Sequence, residues 1–431
     1  MHDRLNQRGA HARPRILIIS PWETVWSLGT ERDVKAGVSD DDRFIDGFIR
    51  AGYELHFLRP RGPHTDPRVV THTYPNFFRA TRHFPTAVRR ALWPALFNLN
   101  VVPRTVSLAR SLSPVVVMGH SHYATFATWW CRRVTGIPGV IKLFGVMDLV
   151  HTGWSATRYH AKNFEQLVAL KYPQDAWIVL DDGTRGGDIL RARGIPADRV
   201  HFLPNGLDLE WMDRKIDRAS ARSRFAIPPD AKVVLFLARL VDSKRPLDAI
   251  AAFATAARGN TNVHLLIAGD GPLRDECEHA VHKKGLAESV HFAGIVPHDD
   301  VPALMSACDV FVSTSTLTNR ALPTCEAMMC GVPVIAYDTG DTATVVRHDD
   351  SGWLVPDGDV GALAAAMTRL LEDGALSARL SQGARAVARV SFTSWATRIA
   401  LELAVIEAVA KNKTGDRSSG RPSGESVKPG V

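Results

Sequence analysis

Two successive series of short β-branched runs, each alternating with helical stretches, constrain the fold of this chain most. The first series is RILIIS, ELHFL, VVVM, VIKLF, WIVL and VHFL. The second follows the turn signal Asn205-Gly206 and is KVVLFLA, VHLLIA, VHFAG, DVFVS, PVIA and GWLV. Such alternation is typical of parallel α/β sheets. The chain has 431 residues, about three times the common size of one domain, so two sheet domains are predicted.

The domain boundary is predicted at the turn, which gives an N-terminal domain over residues 1–205 and a second over 206–390. The ligand site is expected in the cleft between them, at the carboxyl ends of the strands. A helix is predicted within 391–410, because Trp395, Ile399, Leu403 and Ile406 form one apolar stripe that either domain could cover. Residues 411–431 are rich in Gly, Ser and Lys and are predicted to be disordered.

Several classes of protein are disfavoured by what the sequence contains. Its 5 cysteines are odd in number and lack CxxC spacing, which argues against a disulfide framework or a zinc site. No GxGxxG string follows a strand, so a dehydrogenase is not expected. No run reaches the roughly 20 apolar residues of a membrane span. We therefore expect a cytoplasmic protein without a bound metal or cofactor.

The basic surplus is local. Residues 1–205 carry 27 basic and 17 acidic side chains, and no Asp or Glu lies between Asp66 and Asp148. Within this stretch NFFRATRHFPTAVRRALWPALFNLNVVPR interleaves aromatic residues with arginines. The pattern suits an anionic membrane surface, such as the inner face of a membrane, with the aromatic rings at the headgroups. The alternative is a surface helix whose aromatic residues enter the core, with Pro85 and Pro94 limiting its length. No nucleic-acid-binding signature accompanies the charge.

A candidate anion site lies in the second half. Arg239 and Lys244 follow the strand KVVLFLA, five residues apart, and two cations at one strand end can hold a diphosphate. Further along, residues 319–322 precede a helix predicted from near Pro323, where backbone N–H groups suit anionic or hydroxyl-rich ligands. Glu326 on its first turn either stabilises the helix dipole or accepts hydrogen bonds from a vicinal diol such as ribose.

These strings, taken in order, resemble the retaining glycosyltransferases of family 4, which have the GT-B fold of two Rossmann-like domains facing across a cleft. The resemblance covers nearly the whole chain. Its motifs are LPNGLD, ARLVDSKRP, IAGDGP, EAMMCGVPVIA and SGWLVPDGD, with Gly136-Ile137-Pro138 in the first half.

The resemblance implies a role for each donor-site residue. Arg239 and Lys244 would hold the diphosphate of a nucleotide sugar, and Glu326 would bind the ribose hydroxyls. The backbone of Asn319, Arg320, Ala321 and Leu322 would meet the sugar, and Ile295 and Val296 would flank the base. The acceptor would be a glycan or a lipid-linked molecule. His120 takes the family's cleft-facing histidine position, and Gly37 would let a loop approach the sugar or the acceptor.

One departure from the family pattern is important. The first glutamate of Glu-x7-Glu, beside the donor sugar, is Thr318 here. A threonine cannot supply the negative charge that supports an oxocarbenium-like sugar. A polar substitute, an unusual donor sugar, or a degenerate GT-B protein that binds sugar nucleotide or glycan without turnover would each account for it.

Overall fold

The computed structural model describes residues 13–21, 40–60, 66–75, 83–84, 86–146, 156–180, 186–316 and 322–418. Two parallel sheets form the protein. The first has the order β3-β2-β1-β4-β5-β6-β7. Its strands are β1 Arg15–Ile19, β2 Glu54–Pro60, β3 Val70–Tyr74, β4 Val116–His120, β5 Gly139–Leu143, β6 Ala176–Leu180 and β7 Val200–Leu203.

The second sheet has the order β11-β10-β9-β12-β13-β14, and all of its pairs are parallel. Its strands are β9 Lys232–Leu237, β10 Val263–Ala268, β11 Val290–Gly294, β12 Val310–Ser313, β13 Val334–Tyr337 and β14 Trp353–Val355. Two short strands, β8 Gly206–Leu207 and β15 Thr393–Ser394, pair with each other beside the sheets. The predicted α/β architecture of two parallel sheets is confirmed.

Helices cover the faces of both sheets, as crossovers between parallel strands require. The α-helices in the described part of the chain are Asp40–Arg50, Thr86–Leu112, Thr125–Thr135, Ala156–Ala169, Gly186–Ala192, Arg218–Arg224, Pro246–Ala256, Arg274–Lys283, Val301–Ala307, Leu322–Cys330, Val360–Glu372, Gly374–Ser391 and Trp395–Ser418. Short 3-10 helices cover His122–Ala124, Ala197–Arg199, Leu209–Asp213, Asp242–Lys244, His298–Asp300 and Thr342–Thr344. Among these described helices, none is long and apolar enough to cross a bilayer.

Two local expectations were wrong. Strand β3 was not predicted, because VTHTY is a polar edge strand that lacks the apolar run of its neighbours. Pro94 was expected to limit helix length, but it lies inside the helix Thr86–Leu112, as does Pro103. The buried residues Phe97 and Val101 anchor this helix in the core and offset the lost hydrogen bonds.

The C-terminal helix, Trp395–Ser418, leaves the second sheet and packs on the first. Ile399 and Ile406 join the core beneath the first sheet, and Ile399 lies so close to Gly47 that a β-carbon there would be 2.2 Å from its Cγ2. The helix runs past the predicted end at residue 410, and Lys411 Nζ lies 3.7 Å from Glu407 Oε2 one turn earlier. Residues 411–418 are therefore helical, and 419–431 lie outside the described residues.

A buried ion cluster fixes this helix to the first sheet. Lys142 on β5 and Glu402 on the C-terminal helix are both 0% exposed, with Lys142 Nζ 3.2 Å from Glu402 Oε1. The guanidinium of Arg398 donates to the other oxygen of the same carboxylate. Such charges are costly to bury singly, since each loses its hydration, and the cluster is stable only while the carboxylate stands between the cations.

Replacing Glu402 with Gln should lower the free energy of unfolding by about 3 kcal/mol or more, because two buried cations would lose their shared counter-charge. Chemical denaturation monitored by fluorescence measures the loss. Glu407→Gln, on the exposed side of the same helix, is the matched control and should change stability by less than about 0.5 kcal/mol. Equal effects from both variants would contradict the role of the cluster.

Candidate functional site

The loops that follow the strands of the second sheet meet at one edge, because every strand is parallel to its neighbour. Arg239 and Lys244 follow β9, the loop of Gly269 follows β10, Ile295 follows β11, and Thr314 follows β12. The predicted donor-site residues therefore come from separate stretches of chain to one edge of the sheet. This is the usual position of ligand sites in such sheets.

Arg239 and Lys244 lie close together after β9. Arg239 is exposed, while Lys244 is half-buried at the end of the 3-10 helix Asp242–Lys244. Burial lowers the pKa of Lys244, and the positive charge of Arg239 lowers it further. Two like charges held side by side repel each other, and a bound dianion would remove this repulsion. The pair suits a diphosphate.

The loop IAGDGP supports the strand end that carries Arg239. Gly269 has φ +128°, and a β-carbon on it would lie 2.0 Å from the carbonyl oxygen of Ala238. The amide of Leu240 also donates to the carbonyl of Asp270, at 2.9 Å. Only glycine allows this approach, so the motif has a structural role in placing Arg239.

Hydrogen bonds also hold the residue next to Lys244 in an unusual conformation. Arg245 has φ +43° and ψ 55°, which is uncommon outside glycine. The hydroxyl of Thr314, fully buried after β12, lies 2.7 Å and 2.9 Å from the carbonyl oxygens of Lys244 and Arg245. The Arg245 guanidinium pairs with Asp357 at 2.7 Å. These contacts join the ends of β9, β12 and β14 and fix the backbone of Lys244.

Glu326 occupies the first turns of the helix Leu322–Cys330 and is buried. Burial raises the pKa of Glu326 to about 7, with a smaller raising effect from Asp208 and a lowering effect from His298. His298 Nδ1 lies 3.9 Å from Glu326 Oε1, and its Nε2 lies 2.7 Å from Asp208 Oδ2. Arg43, on the helix Asp40–Arg50, donates to Asp208 Oδ1 at 2.6 Å.

The residues around Glu326 were missed in the sequence. Asp208 belongs to the string LPNGLD, which the resemblance used only as a marker of the junction. His298 follows β11 close to the predicted base-flanking residues, and Arg43 comes from the helix Asp40–Arg50 of the first domain. Together with Trp211 they line a pocket of about 450 Å³. Their meeting depends on how the junction folds, which strand periodicity does not reveal.

Of the remaining predicted site residues on the donor, sugar and acceptor sides, the structure describes three. Ile295 is exposed and Val296 is buried immediately after β11, and Leu322 is half-buried at the start of its helix. Gly37, Thr318, Asn319, Arg320 and Ala321 lie outside the described residues, so their roles stay predictions.

His120 ends β4, as expected for a strand-end residue, but its ring is 0% exposed. Phe44, Phe57 and Phe144 meet it edge-on, with ring centroids 5.8 to 6.4 Å away. The next residue, Ser121, has φ +75°. The described part of the chain thus covers the ring, and a catalytic role for His120 stays a prediction.

Two of the aromatic residues in the basic segment point inward, whereas Phe84 is 52% exposed. Phe97 is buried, and Trp93 packs against Tyr123 at 4.4 Å, so these aromatic rings face the core and not a membrane. The outer face of the same helix carries Val88, Leu92 and Leu99, which are 42%, 44% and 73% exposed. The inward packing of Phe97 and Trp93 is favourable because each ring removes a large apolar area from water.

Two family profiles match most of the chain. The profile for glycosyl transferases group 1 matches residues 217–387, and that for Glycosyltransferase Family 4 matches residues 42–211. The 2-deoxystreptamine N-acetyl-D-glucosaminyltransferase of Streptomyces fradiae is 36% identical over 41% of this chain and 42% of its own length. The D-inositol 3-phosphate glycosyltransferase of Salinispora tropica is 32% identical over 68% of this chain and 64% of its own. The chain thus spans about two fifths to two thirds of the length of these relatives.

The crystal structure of Anabaena Alr3699/HepE in complex with UDP and glucose is similar in fold. It has a TM-score of 0.64 and 18% identity, covering 94% of this chain and 100% of that one. The predicted GT-B fold is confirmed by this likeness.

The raised pKa of Glu326 predicts a pH-dependent stability. As the pH rises from about 4.5 to about 7, the unfolded chain loses this proton before the folded protein does, so the folded state loses stability. Glu326→Gln removes the free-energy cost of burying the charged carboxylate. The melting temperature of this variant should exceed that of the wild type by about 2 °C or more at pH 8, and by less at pH 5.

Thermal melts at the two pH values measure this difference. Glu372→Gln, an exposed carboxylate at the end of a helix in the same sheet domain, is the control and should show no such trend. If the difference in melting temperature between Glu326→Gln and the wild type stayed constant or decreased towards pH 8, the raised pKa of Glu326 would be contradicted.

Proposed function

The chain belongs to the family 4 glycosyltransferases, and we propose that it moves a sugar from a nucleotide-diphosphate sugar to a glycan or lipid-linked acceptor. Arg239 and Lys244 would bind the diphosphate, and Glu326 the ribose. The observation that supports this most is the paired positive charge at the end of β9, since burial and Arg239 both act on the pKa of Lys244. The structural neighbour with bound UDP and glucose carries the same type of ligand.

The proposed reaction breaks the bond between the sugar and the diphosphate. The bonding electrons pass to the leaving phosphate oxygen, where negative charge grows. Arg239 and Lys244 stabilise that charge more in the transition state than in the ground state, which accelerates the step. The acceptor hydroxyl attacks the same face of the sugar, and its proton goes to the departing phosphate, so configuration is retained. The two cations neutralise the diphosphate in this scheme without a metal.

Lys244→Ala should lower turnover about 100-fold, because one of the charges that stabilise the leaving group is lost. Transfer and donor-hydrolysis assays across UDP-, GDP- and ADP-sugars measure the effect. Lys232→Ala is the matched control, since this exposed lysine begins β9 and lies at the opposite end of the same strand.

Two outcomes would count against the proposal. An unchanged rate for Lys244→Ala would remove this lysine from the diphosphate site. Tight nucleotide binding by the wild type with no turnover on any acceptor would instead favour a degenerate protein that binds without catalysis, as the threonine at position 318 allows.

We further propose that the enzyme works at an anionic membrane surface. The outer face of a surface helix is usually polar, but here it carries an exposed apolar stripe of Val88, Leu92 and Leu99. Trp130 and Val134 on the helix Thr125–Thr135 continue it across an open groove of about 700 Å³. Neither helix contains an acidic residue, and exposed Arg110 and Arg133 lie on the same two helices. Apolar contact and positive charge are the two signals that interfacial binding requires.

Flotation with liposomes tests the surface. Wild-type protein should float with vesicles that contain anionic lipid and not with neutral ones. Leu92→Asp combined with Leu99→Asp should reduce the bound fraction about tenfold or more, because it places negative charge on the stripe. Val390→Asp, at an exposed valine of the second domain, is the control. Equal absence of binding to both vesicle types by the wild type would exclude this surface.

A further inference from the structure

A chain of charged contacts joins the first domain to the candidate ribose-binding carboxylate. Arg43 Nη2 lies 2.6 Å from Asp208 Oδ1. The other oxygen of Asp208 lies 2.7 Å from His298 Nε2. On the far side of the ring, His298 Nδ1 lies 3.9 Å from Glu326 Oε1. The four residues come from the helix Asp40–Arg50, the domain junction, the loop after β11 and the helix Leu322–Cys330.

The environment of His298 fixes the orientation of its ring. Asp208 is almost fully buried and, as a carboxylate, can only accept, so the N–H at Nε2 donates a hydrogen bond to Asp208. Trp211 packs on the imidazole with ring centroids 4.6 Å apart. These contacts leave Nδ1 directed at Glu326. At 3.9 Å the two atoms are too far apart for a hydrogen bond but close enough for a strong electrostatic effect.

The protonation state of Glu326 decides what it can bind. An ionised carboxylate accepts hydrogen bonds at both oxygens, which matches the two hydroxyls of a ribose, whereas a protonated carboxyl gives up part of this capacity. Burial favours the protonated form, and Asp208 acts in the same direction. Positive charge on the His298 ring opposes both effects. His298 is thus the neighbouring side chain whose charge favours the ionised form of Glu326.

We propose that His298 is a positioning residue that favours the ionised form of Glu326 for the ribose diol, with Asp208 and Arg43 holding the imidazole in place. The inference rests on the proposed function, in which Glu326 binds the donor ribose. His298, in the loop after β11, thus contributes to nucleotide recognition, and this role depends on Arg43 of the other domain.

The alternative is that the four residues have a purely structural role. In that alternative the four residues only pin the junction, and removing His298 would weaken all ligands alike. The two accounts differ in one quantity, the preference of the protein for a nucleoside diphosphate over its 2′,3′-dideoxy analogue. The diol contact with Glu326 contributes to that ratio, whereas contacts to the base and the diphosphate are common to both nucleotides and cancel.

Calorimetric titration of the full chain measures the preference for the ribose form over the dideoxy form. The probe is whichever of UDP, GDP and ADP the wild type binds, with the matching dideoxy nucleotide. Wild type should prefer the ribose form by about 30-fold, as expected for hydrogen bonds to a charged group. His298→Ala should reduce the preference to about threefold or less, with the affinity for the dideoxy form unchanged. Glu326→Gln should show the same pattern, and Asp208→Asn an intermediate one.

Two further variants make the result decisive. His298→Asn keeps a polar side chain and serves if the alanine variant does not fold, as judged by its melting curve. His291→Ala is the matched control, because His291 pairs with His264 at 3.0 Å elsewhere in the same sheet, and its preference should equal that of the wild type.

Three outcomes would overturn the inference. The first is a full ribose preference in a folded His298→Ala protein. The second is an equal loss of affinity for both nucleotides in that variant. The third is a wild type that binds nucleotide without distinguishing the dideoxy form, since Glu326 would then not contact the diol. A wild type that binds no nucleotide of the panel would instead reject the proposed function itself.

Discussion

Parallel pairing within each sheet is the constraint on which the rest of this structure depends. A parallel strand cannot return through a tight turn, so each connection is a crossover and all strands end at the same edge. In the second sheet that edge collects Arg239, Lys244, Thr314 and the loop of Gly269 from separate stretches of sequence. None of these residues is functional alone. Their proximity is a result of the topology, and the chemistry proposed for the site follows from it.

The protein places charge in unfavourable surroundings in two different ways. Lys142, Arg398 and Glu402 are enclosed together, and each has a partner of opposite sign, so the cluster fastens one helix. Lys244 and Glu326 are also withdrawn from water, and their surroundings disfavour the charged forms. In the cluster of Lys142, Arg398 and Glu402, the charges are compensated within the protein. Lys244 and Glu326 keep interactions that a ligand can complete, which is characteristic of functional sites.

Much of the fold could be predicted from the sequence, because buried parallel strands consist of continuous runs of apolar residues. All six predicted strands of the second sheet are present, including VHFAG and GWLV. The polar edge strand β3 and the inward direction of Trp93 and Phe97 could not be predicted, since each depends on tertiary neighbours. For the candidate site, motif order indicated Arg239, Lys244 and Glu326. The group of Arg43, Asp208 and His298 could not be found, because it assembles only where two domains meet.

The chain passes between the domains twice, and the two passages lie side by side. On its way to the second sheet it forms β8, and on its return it forms β15, where Thr393 and Ser394 are in register with Gly206 and Leu207. Trp395 packs directly over Gly206. The segment that enters the second sheet and the segment that leaves it are therefore joined by backbone pairing, so both crossings between the domains share one anchored point.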